Sequence, residues 1–587
     1  ARKPIRTLVE KYGEVLSDAM PCFLMSPESV ATLLPVGAIE FDLVIFDEAS
    51  QIRTSNAIGA LGRGKANIVV GDSKQMPPSK MFTANHGRDI EDDDPTDQQE
   101  TSEGTTEAET DDNLIPEALI DLLPSPESAS DAESILEEFE ASQLPYMQLL
   151  CHYRSKDELL IAFSNSHVYT ENPMMTFPSI KGLNSDALKW VETPQGQFHR
   201  NKTDVNALTQ EQQDAYNRAL KYRNEKELIR TNPIEAFAVS EELWKRLSDP
   251  VRQKRREEGA SEGHESIIVV TFNKPQKDLI HKIITENPDY DTDLVNRAFQ
   301  EVKDEESGVL VERPQLKIVN LEHVQGDEAE TVIFTTAFTK QGPGHPNPDN
   351  RKVPTRWGPV SDPGGYRRLN VAVTRAKKEM LVFCSFDPLD IDIKESSSEN
   401  IRLVQSFLLL AKNGPKVVGD VGIDVARNQH VADIAEEIEK MGYRVKTQVG
   451  LSSLRVDIAV GEKESDSWKL AILIDGPNWA ERGSAVQREV LPKNMLGALG
   501  WSNVIRIWLP GWMVEKKKIL TEINKAMKSQ KSITPTPSKT AKKPASKKKV
   551  TNNQDTTSFF VPFDPDKYAA RVLVGKSTLP QWSTGHN

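Results

Sequence analysis

Residues 41–51 read Phe-Asp-Leu-Val-Ile-Phe-Asp-Glu-Ala-Ser-Gln, an apolar run that ends on two adjacent carboxylates. Leu43, Val44, Ile45 and Phe46 are apolar on both faces of an extended chain, which predicts an interior strand of a parallel sheet. Asp47 and Glu48 come next, at its carboxyl end, where open α/β sheets place their ligands. Hydrolysis of a nucleoside triphosphate needs two carboxylates there. One holds Mg²⁺, usually through water, and the other orients and deprotonates the attacking water. Two acids after a strand also describe an ordinary solvated turn, so the reading depends on the downstream sequence.

About twenty residues on, a second apolar strand, Ile68-Val69-Val70, runs into Gly71-Asp72-Ser73-Lys74-Gln75 and then Pro77-Pro78-Ser79. Glycine at a strand end lets the backbone approach a ligand, and Gln75 can reach a terminal phosphate or its water. Cys151-His152-Tyr153-Arg154-Ser155 places an arginine ahead of a helical stretch, Glu158 to Phe163. Ile318-Val319-Asn320-Leu321 leads into Val324-Gln325-Gly326-Asp327-Glu328 and the apolar strand Thr331 to Phe334. Last, Arg368-Leu369-Asn370-Val371-Ala372-Val373-Thr374-Arg375-Ala376-Lys377 precedes the strand Met380 to Phe383. A lone arginine is most often a surface ion pair. Two arginines in βα-type contexts downstream of an acidic pair have the character of fingers that neutralise a transferring phosphoryl group.

In this order the five blocks resemble motifs II to VI of superfamily 1 helicases, and their wording is nearest the Upf-like DNA/RNA helicase branch. The resemblance covers roughly residues 20 to 385. It implies an α/β protein with two RecA-like lobes facing each other across a cleft for ATP and Mg²⁺, acting on single-stranded DNA or RNA. It further implies Asp47 for Mg²⁺, Glu48 as catalytic base, Gln75 as sensor of the γ-phosphate, Arg154 and Arg375 as arginine fingers and Glu328 for the ribose. Asp72 and Gly326 lie in the same blocks as nucleotide-binding positions. Thr271 and Phe272, after the strand Ile267 to Val270, match a position that touches the nucleic-acid backbone.

A phosphate-cradling Gly-x-x-x-x-Gly-Lys-Ser/Thr loop belongs upstream of the acidic pair and is absent there. Gly575-Lys576-Ser577 is a decoy: position 570 is Ala, and Thr578-Leu579-Pro580 cannot start the helix such a loop needs. The chain opens with Ala1, only 46 residues before Asp47. The expectation is therefore a carboxyl-terminal portion of a longer protein, its first lobe truncated, whose missing amino-terminal part supplies the loop.

At 587 residues, three or four domains are expected. No apolar run approaches the roughly 18 residues of a membrane span, and Ala-Arg-Lys-Pro-Ile-Arg has no signal-peptide core, so no membrane partner is expected. Cys22, Cys151 and Cys384 fit no metal spacing and read as buried thiols of a reducing compartment, which points to the cytoplasm. The net charge of −14 is local in origin. Residues 89–140 hold 20 acids and no Lys or Arg, leaving +6 on the rest of the chain. Lys516 to Lys549 carries 12 lysines and one acid, a basic tether able to hold nucleic acid by counterion release.

The expected layout has the first lobe at 1–88, an acidic disordered insert at 89–133 and the second lobe at 134–415. A charged helical insertion near 200–262 would sit within that second lobe. Residues 416–514 then change character. A helix from Val431 to Met441 precedes a strand to Val449-Gly450, a strand Leu454 to Val460 and a strand Leu470 to Gly476, then a helix around Glu489 to Leu499 and a strand Asn503 to Trp508. This order resembles the restriction-endonuclease-like fold in its small Vsr-like form, followed here by a lysine-rich linker at 515–556 and a tail at 557–587. Such nucleases gather Mg²⁺ between strand carboxylates. Asp457 and Asp475 match two of these, but Leu473 stands where the pattern has glutamate, and Asn428 where the first helix has an acid. A leucine cannot bind a hard cation, so the domain is expected to be a degenerate nuclease that at most holds an ion weakly. Arg455 and Arg488 are its candidate nucleic-acid contacts. The alternatives are an active helicase–nuclease and a non-catalytic nucleic-acid-binding scaffold.

Overall fold

The strand foreseen around Leu43–Phe46 forms as β1 (Phe41–Phe46) and pairs in parallel with β2 (Gly64–Val69), the helix Thr54–Leu61 crossing between them. This computed structural model describes residues 4–529 apart from 79–132, 143, 150, 183–185, 200–203, 258–264, 304–309, 313, 341–352, 354–355, 395–396, 418–428 and 481. The two faces of β1 differ. Phe46 is buried with Ala49, Ala57 and Ala60, whereas Leu43 is 44% exposed, Ile45 59% and Ile68 of β2 48%. Side chains alternate along a strand, so the part of one face that carries Leu43, Ile45 and Ile68 is open among the described residues. The helix Ile135–Ala141 joins this lobe, not the second as its position suggested. Ile135 N–H donates to Ile52 O at 2.8 Å, and Ile135 and Leu136 are buried beside Phe46. The acidic insert lies outside the described residues except for Glu133.

The second lobe contains β3 (Leu188–Glu192), β4 (Ile267–Thr271), β5 (Leu316–Asn320), β6 (Ala329–Thr335) and β7 (Ala376–Cys384). They form one all-parallel sheet in the order β3-β7-β6-β4-β5. Helices cover both faces, so Ile267–Val270 are all at most 3% exposed, as a continuous apolar strand requires. One core gathers β4, β6 and β7 with the helices Leu159–His167, Tyr366–Val373 and Glu399–Asn413, and the other uses Pro233–Leu247, Lys274–Glu286 and Thr292–Phe299. The region near 200–262 is therefore no peripheral insertion. Helix Pro233–Leu247 starts at N-cap Asn232, has Pro233 in its first turn, and buries Phe237, Val239, Leu243 and Leu247 against the sheet. The charged run before it is helical only over Gln210–Ala219, where Tyr216 and Ala219 are buried.

That helix also carries a buried acid. Glu235 accepts from Thr335 Oγ1 at 2.5 Å, Ala337 N–H at 2.7 Å and Ser385 Oγ at 2.8 Å, yet burial pushes its carboxyl up to about 7. Burial raises Glu158 to about 7 as well, and lowers His152 and His199 to about 4. The signs oppose. Between their ordinary 4.5 and about 7 the two folded acids hold protons that the unfolded chain has lost, which favours folding as pH falls. Between about 4 and their ordinary 6.5 the two folded histidines lack protons that the unfolded chain holds, which favours folding as pH rises. Across pH 4.5–6.5 the two pairs cancel. Glu235→Gln removes one proton from this balance. Relative to wild type, its unfolding free energy should therefore fall toward acid by about 1.4 kcal/mol per pH unit in that window, read from denaturant melts at several pH values. A variant whose pH profile runs parallel to wild type would contradict this assignment.

The last region matches the expected order. Helix Gln429–Lys440 is followed by β8 (Arg444–Val449), β9 (Val456–Gly461), β10 (Leu470–Ile474) and β11 (Asn503–Ile507), in spatial order β8-β9-β10-β11. The first two pairings are antiparallel and the β10–β11 pairing is parallel. Helix Leu509–Lys528 packs Trp512, Ile523 and Met527 onto one face of the sheet. Lysines 516–528 thus belong to a docked helix instead of the flexible tether expected from 515 onward. Residues 530–587 lie outside the described residues. Among the described residues no helix is long and apolar enough to cross a membrane.

Candidate active site

Asp47 and Glu48 stand exposed at the carboxyl end of β1. Glu48 has φ 53° and ψ 39°, a left-handed conformation that costs a residue with a Cβ. Its N–H donates to Asp47 Oδ1 at 2.9 Å, and Gln51 Nε2 donates to Glu48 Oε2 at 3.2 Å.

The loop after β2 is stapled to the second lobe. Asp72 Oδ2 accepts from Tyr169 OH at 2.6 Å and from Gln75 Nε2 at 3.0 Å, and Asp72 Oδ1 accepts from Lys74 N–H at 2.9 Å. Asn370 Nδ2 donates to Lys74 O and to Tyr169 OH, both at 3.0 Å. Asp72 is therefore a strut between lobes, with both oxygens engaged. Gln75 Oε1 is buried and has no hydrogen-bond partner. Tyr169 carried no sequence signal, and Asn370 was visible only as part of its block.

The two arginines converge on this place. Arg154 Nε lies 3.0 Å from Glu328 Oε2, and Lys377 Nζ lies 2.5 Å from Glu328 Oε1. Arg375 is 2% exposed, its Nε donating to Val371 O at 2.8 Å and its Nη2 to Thr374 Oγ1 at 3.2 Å. Burial and then the Arg154 charge lower its pKa to about 10, while Glu48, Tyr169 and Glu328 pull the other way. Burial, then Arg154 and Arg375, also hold His152 at about 4. Gly326 turns the chain at φ 79° ahead of Asp327 and Glu328. One buried guanidinium, Arg375, a partly exposed one, Arg154, an unpaired buried Gln75 oxygen and an exposed carboxylate pair form a donor set that fits a magnesium-bound triphosphate.

Four expected nucleic-acid contacts fare differently. Thr271 is fully buried, with its Oγ1 donating to Asn273 O at 2.8 Å. Phe272 is 4% exposed and packs edge-on against Phe334 at 5.2 Å and Trp357 at 5.0 Å. Their side chains serve the core, because β4 is interior and the chain stays inside as it leaves the strand. Arg455 is also buried, at 9% exposure. Only Arg488 is partly open. Its guanidinium sits 4.9 Å from the Trp479 ring and its Nε donates to Arg482 O at 2.6 Å.

In the nuclease-like sheet Leu473 pairs in register with Arg506, and Asp457 lies one step beyond the Ile458–Ile472 pair on the adjoining strand. The row where acids would hold a metal therefore reads Asp, Leu, Arg. Leu473 is 4% exposed in an apolar cluster. Asp457 Oδ2 accepts from Ile474 N–H at 2.7 Å, and burial raises its pKa. Asp475 Oδ1 accepts from Leu509 N–H at 2.7 Å, at the start of helix Leu509–Lys528. Arg506 fills the row, donating to Glu489 at 3.3 Å, to Ile474 O at 3.3 Å and to Arg488 O at 2.6 Å. Among the described residues no group of three or more His, Cys, Asp or Glu is placed to hold a metal. These residues do not fit Mg²⁺.

Residues 132–387 match a family described as AAA domain (AAA_12), and residues 431–527 match the REase_MTES_1575 family. The chain is 25% identical over 541 residues to an uncharacterized ATP-dependent helicase, MG140, of Mycoplasma genitalium, covering 89% of this chain and 40% of that protein. It is 27% identical over 409 residues to the MG140 homolog of Mycoplasma pneumoniae, also an uncharacterized ATP-dependent helicase, covering 69% of this chain and 29% of that one. The chain thus spans well under half the length of these relatives. By these matches it joins a superfamily 1 helicase-like AAA domain to a restriction-endonuclease-like domain.

Proposed function

We propose that the intact protein is an ATP-driven helicase or translocase on single-stranded nucleic acid, working in the cytoplasm. What carries the reading is the gathering of Glu48, Arg154, Glu328 and Arg375, far apart in sequence, into one cluster of interacting charges. In this reading Asp47 holds Mg²⁺ of the bound nucleotide, which supplies the phosphoryl group and the charge that activates it. Glu48 takes the proton of the attacking water, and Gln75 offers its free oxygen to that water. Arg154 and Arg375 donate to the transferring group. Arg154 must leave or share Glu328 to do so, and Glu328 then serves the ribose. The phosphate loop comes from another part of the protein, packed on the open face of Leu43, Ile45 and Ile68. Its relatives are longer than this chain, which leaves room for such a part.

The test is phosphate release by the intact protein with and without single-stranded oligonucleotide. Turnover stimulated by nucleic acid is expected there, and background rates from residues 1–587 alone. Robust turnover by residues 1–587 would place the phosphate loop within this chain and overturn that part of the reading.

The nuclease-like domain, in the same proposal, does not cut. With Leu473 and Arg506 in the metal row, no cleavage of labelled single- or double-stranded DNA or RNA is expected in Mg²⁺ or Mn²⁺. Cutting that disappears in Asp457→Ala would contradict this.

A further inference from the structure

The motor lobe and the nuclease-like domain meet through a strap, residues 175–180. Phe177 is 3% exposed in a cluster with Val449, Leu454, Trp468 and Trp501. Thr176 N–H donates to Ser452 Oγ at 2.9 Å, and Ser452 Oγ donates back to Thr176 O at 3.0 Å. Trp501 Nε1 donates to Pro178 O at 2.8 Å and Trp468 N–H to Ile180 O at 2.6 Å. On the motor side the strap is bonded to the segment that carries Arg154. His152 N–H donates to Met175 O at 2.9 Å, and Ser179 Oγ donates to Asp157 Oδ2 at 2.7 Å. The Glu158 carboxylate, 6% exposed, receives the Thr176 hydroxyl and the N–H of Leu451 of the nuclease-like domain, the latter at 3.2 Å to each oxygen. The same segment is tied to the strand after Arg375. Ser155 Oγ donates to Ala376 O at 2.9 Å and Lys156 N–H to Lys377 O at 2.7 Å.

We propose that the nuclease-like domain is a clamp on residues 152–158, and that its docking, through Ser452, Trp501 and Glu158, fixes Arg154 for phosphoryl transfer. The domain is thereby retained for what it holds, with no need of a metal. Glu158 explains why docking matters to the motor. A carboxyl buried this far is tolerated only while it is hydrogen-bonded, and two of its partners reach it through the strap and the nuclease-like domain. Release of the domain would hydrate Glu158 and free the backbone four residues from Arg154. Ser452, Trp501 and Glu158 are positioning residues, since none faces the cleft chemistry. The activity arm of the test depends on the ATPase reading above, and the labelling arm does not.

Three thiols report on docking. Cys22 is exposed, Cys384 is buried in the motor core, and Cys151 is half-buried against the strap cluster. Ser452→Ala should speed N-ethylmaleimide labelling of Cys151 about tenfold and leave Cys384 unchanged, a local and not a global opening. Trp501→Phe, which keeps the ring and loses only the bond to Pro178 O, should act in the same direction. In the intact protein Ser452→Ala should lower kcat for ATP about tenfold at unchanged KM, and add no further loss to Arg154→Ala, because both remove the same placed guanidinium. Labelling of Cys151 and Cys384 rising together, or neither rising, would overturn the clamp, as would losses that multiply in the double variant. Absence of turnover in wild type would defeat the ATPase reading and leave the labelling arm to decide the clamp.

Discussion

Arg375→Ala in the intact protein is expected to lower ATP turnover by roughly a factor of 10³, about 4 kcal/mol of transition-state stabilisation, with KM for ATP little changed. Arg375 is 2% exposed and its guanidinium is oriented by Val371 O and Thr374 Oγ1, which hold it in one place. Burial and Arg154 already make the charged form less favourable than in water, and a transferring phosphoryl group relieves that cost. Arg375→Lys should rescue poorly, since an ammonium lacks the planar fork. Steady-state phosphate release with saturating oligonucleotide checks this, beside a melting curve to confirm that both variants are folded. A loss below tenfold would remove Arg375 from the chemistry.

Glu48→Gln should abolish hydrolysis, by roughly 10² to 10⁴, while ATP still binds. Glutamine preserves the size of the side chain and can keep the contact to Gln51, and Asp47 remains for Mg²⁺. The left-handed backbone at position 48 is tolerated by both residues to a similar degree. Binding of a fluorescent ATP analogue at wild-type affinity, together with background phosphate release, is the expected pair of results. Loss of binding would instead assign Glu48 to the nucleotide site as a structural residue.

Much of the candidate cleft was legible because each block is a short local pattern beside a strand or helix: Asp47 and Glu48 follow a strand, while Glu328 and Arg375 stand just before one. Asp47, Glu48, Arg154, Glu328 and Arg375 could be found from such local patterns. The links between the blocks were not legible. Tyr169 meets Asp72 across 97 residues, and Glu158 meets Leu451 across 293; no local pattern encodes either pairing. Helix Pro233–Leu247 was hidden by its charge. It lies in the stretch expected as a charged insertion near 200–262, yet its Arg246 is 7% exposed and bonds Glu242, Glu265 and Glu379. The burial of the Thr271 and Phe272 side chains was not legible either, since a residue just past a strand end can turn inward as readily as toward a ligand. In the nuclease-like domain Leu473 stood out in the sequence as a leucine at an expected acidic position, but its register with Arg506 became visible only when the strands were paired.

If blocks spread along the chain form one nucleotide site, nucleotide must protect them together. Hydrogen exchange of the intact protein, with and without a non-hydrolysable ATP analogue and Mg²⁺, tests it most directly. Residues 47–51, 72–76, 152–156, 325–328 and 370–376 are expected to gain protection together, with one common midpoint in nucleotide concentration, while 457–475 does not respond to nucleotide in this way. Protection confined to the first two segments, or to the nuclease-like domain, would contradict it.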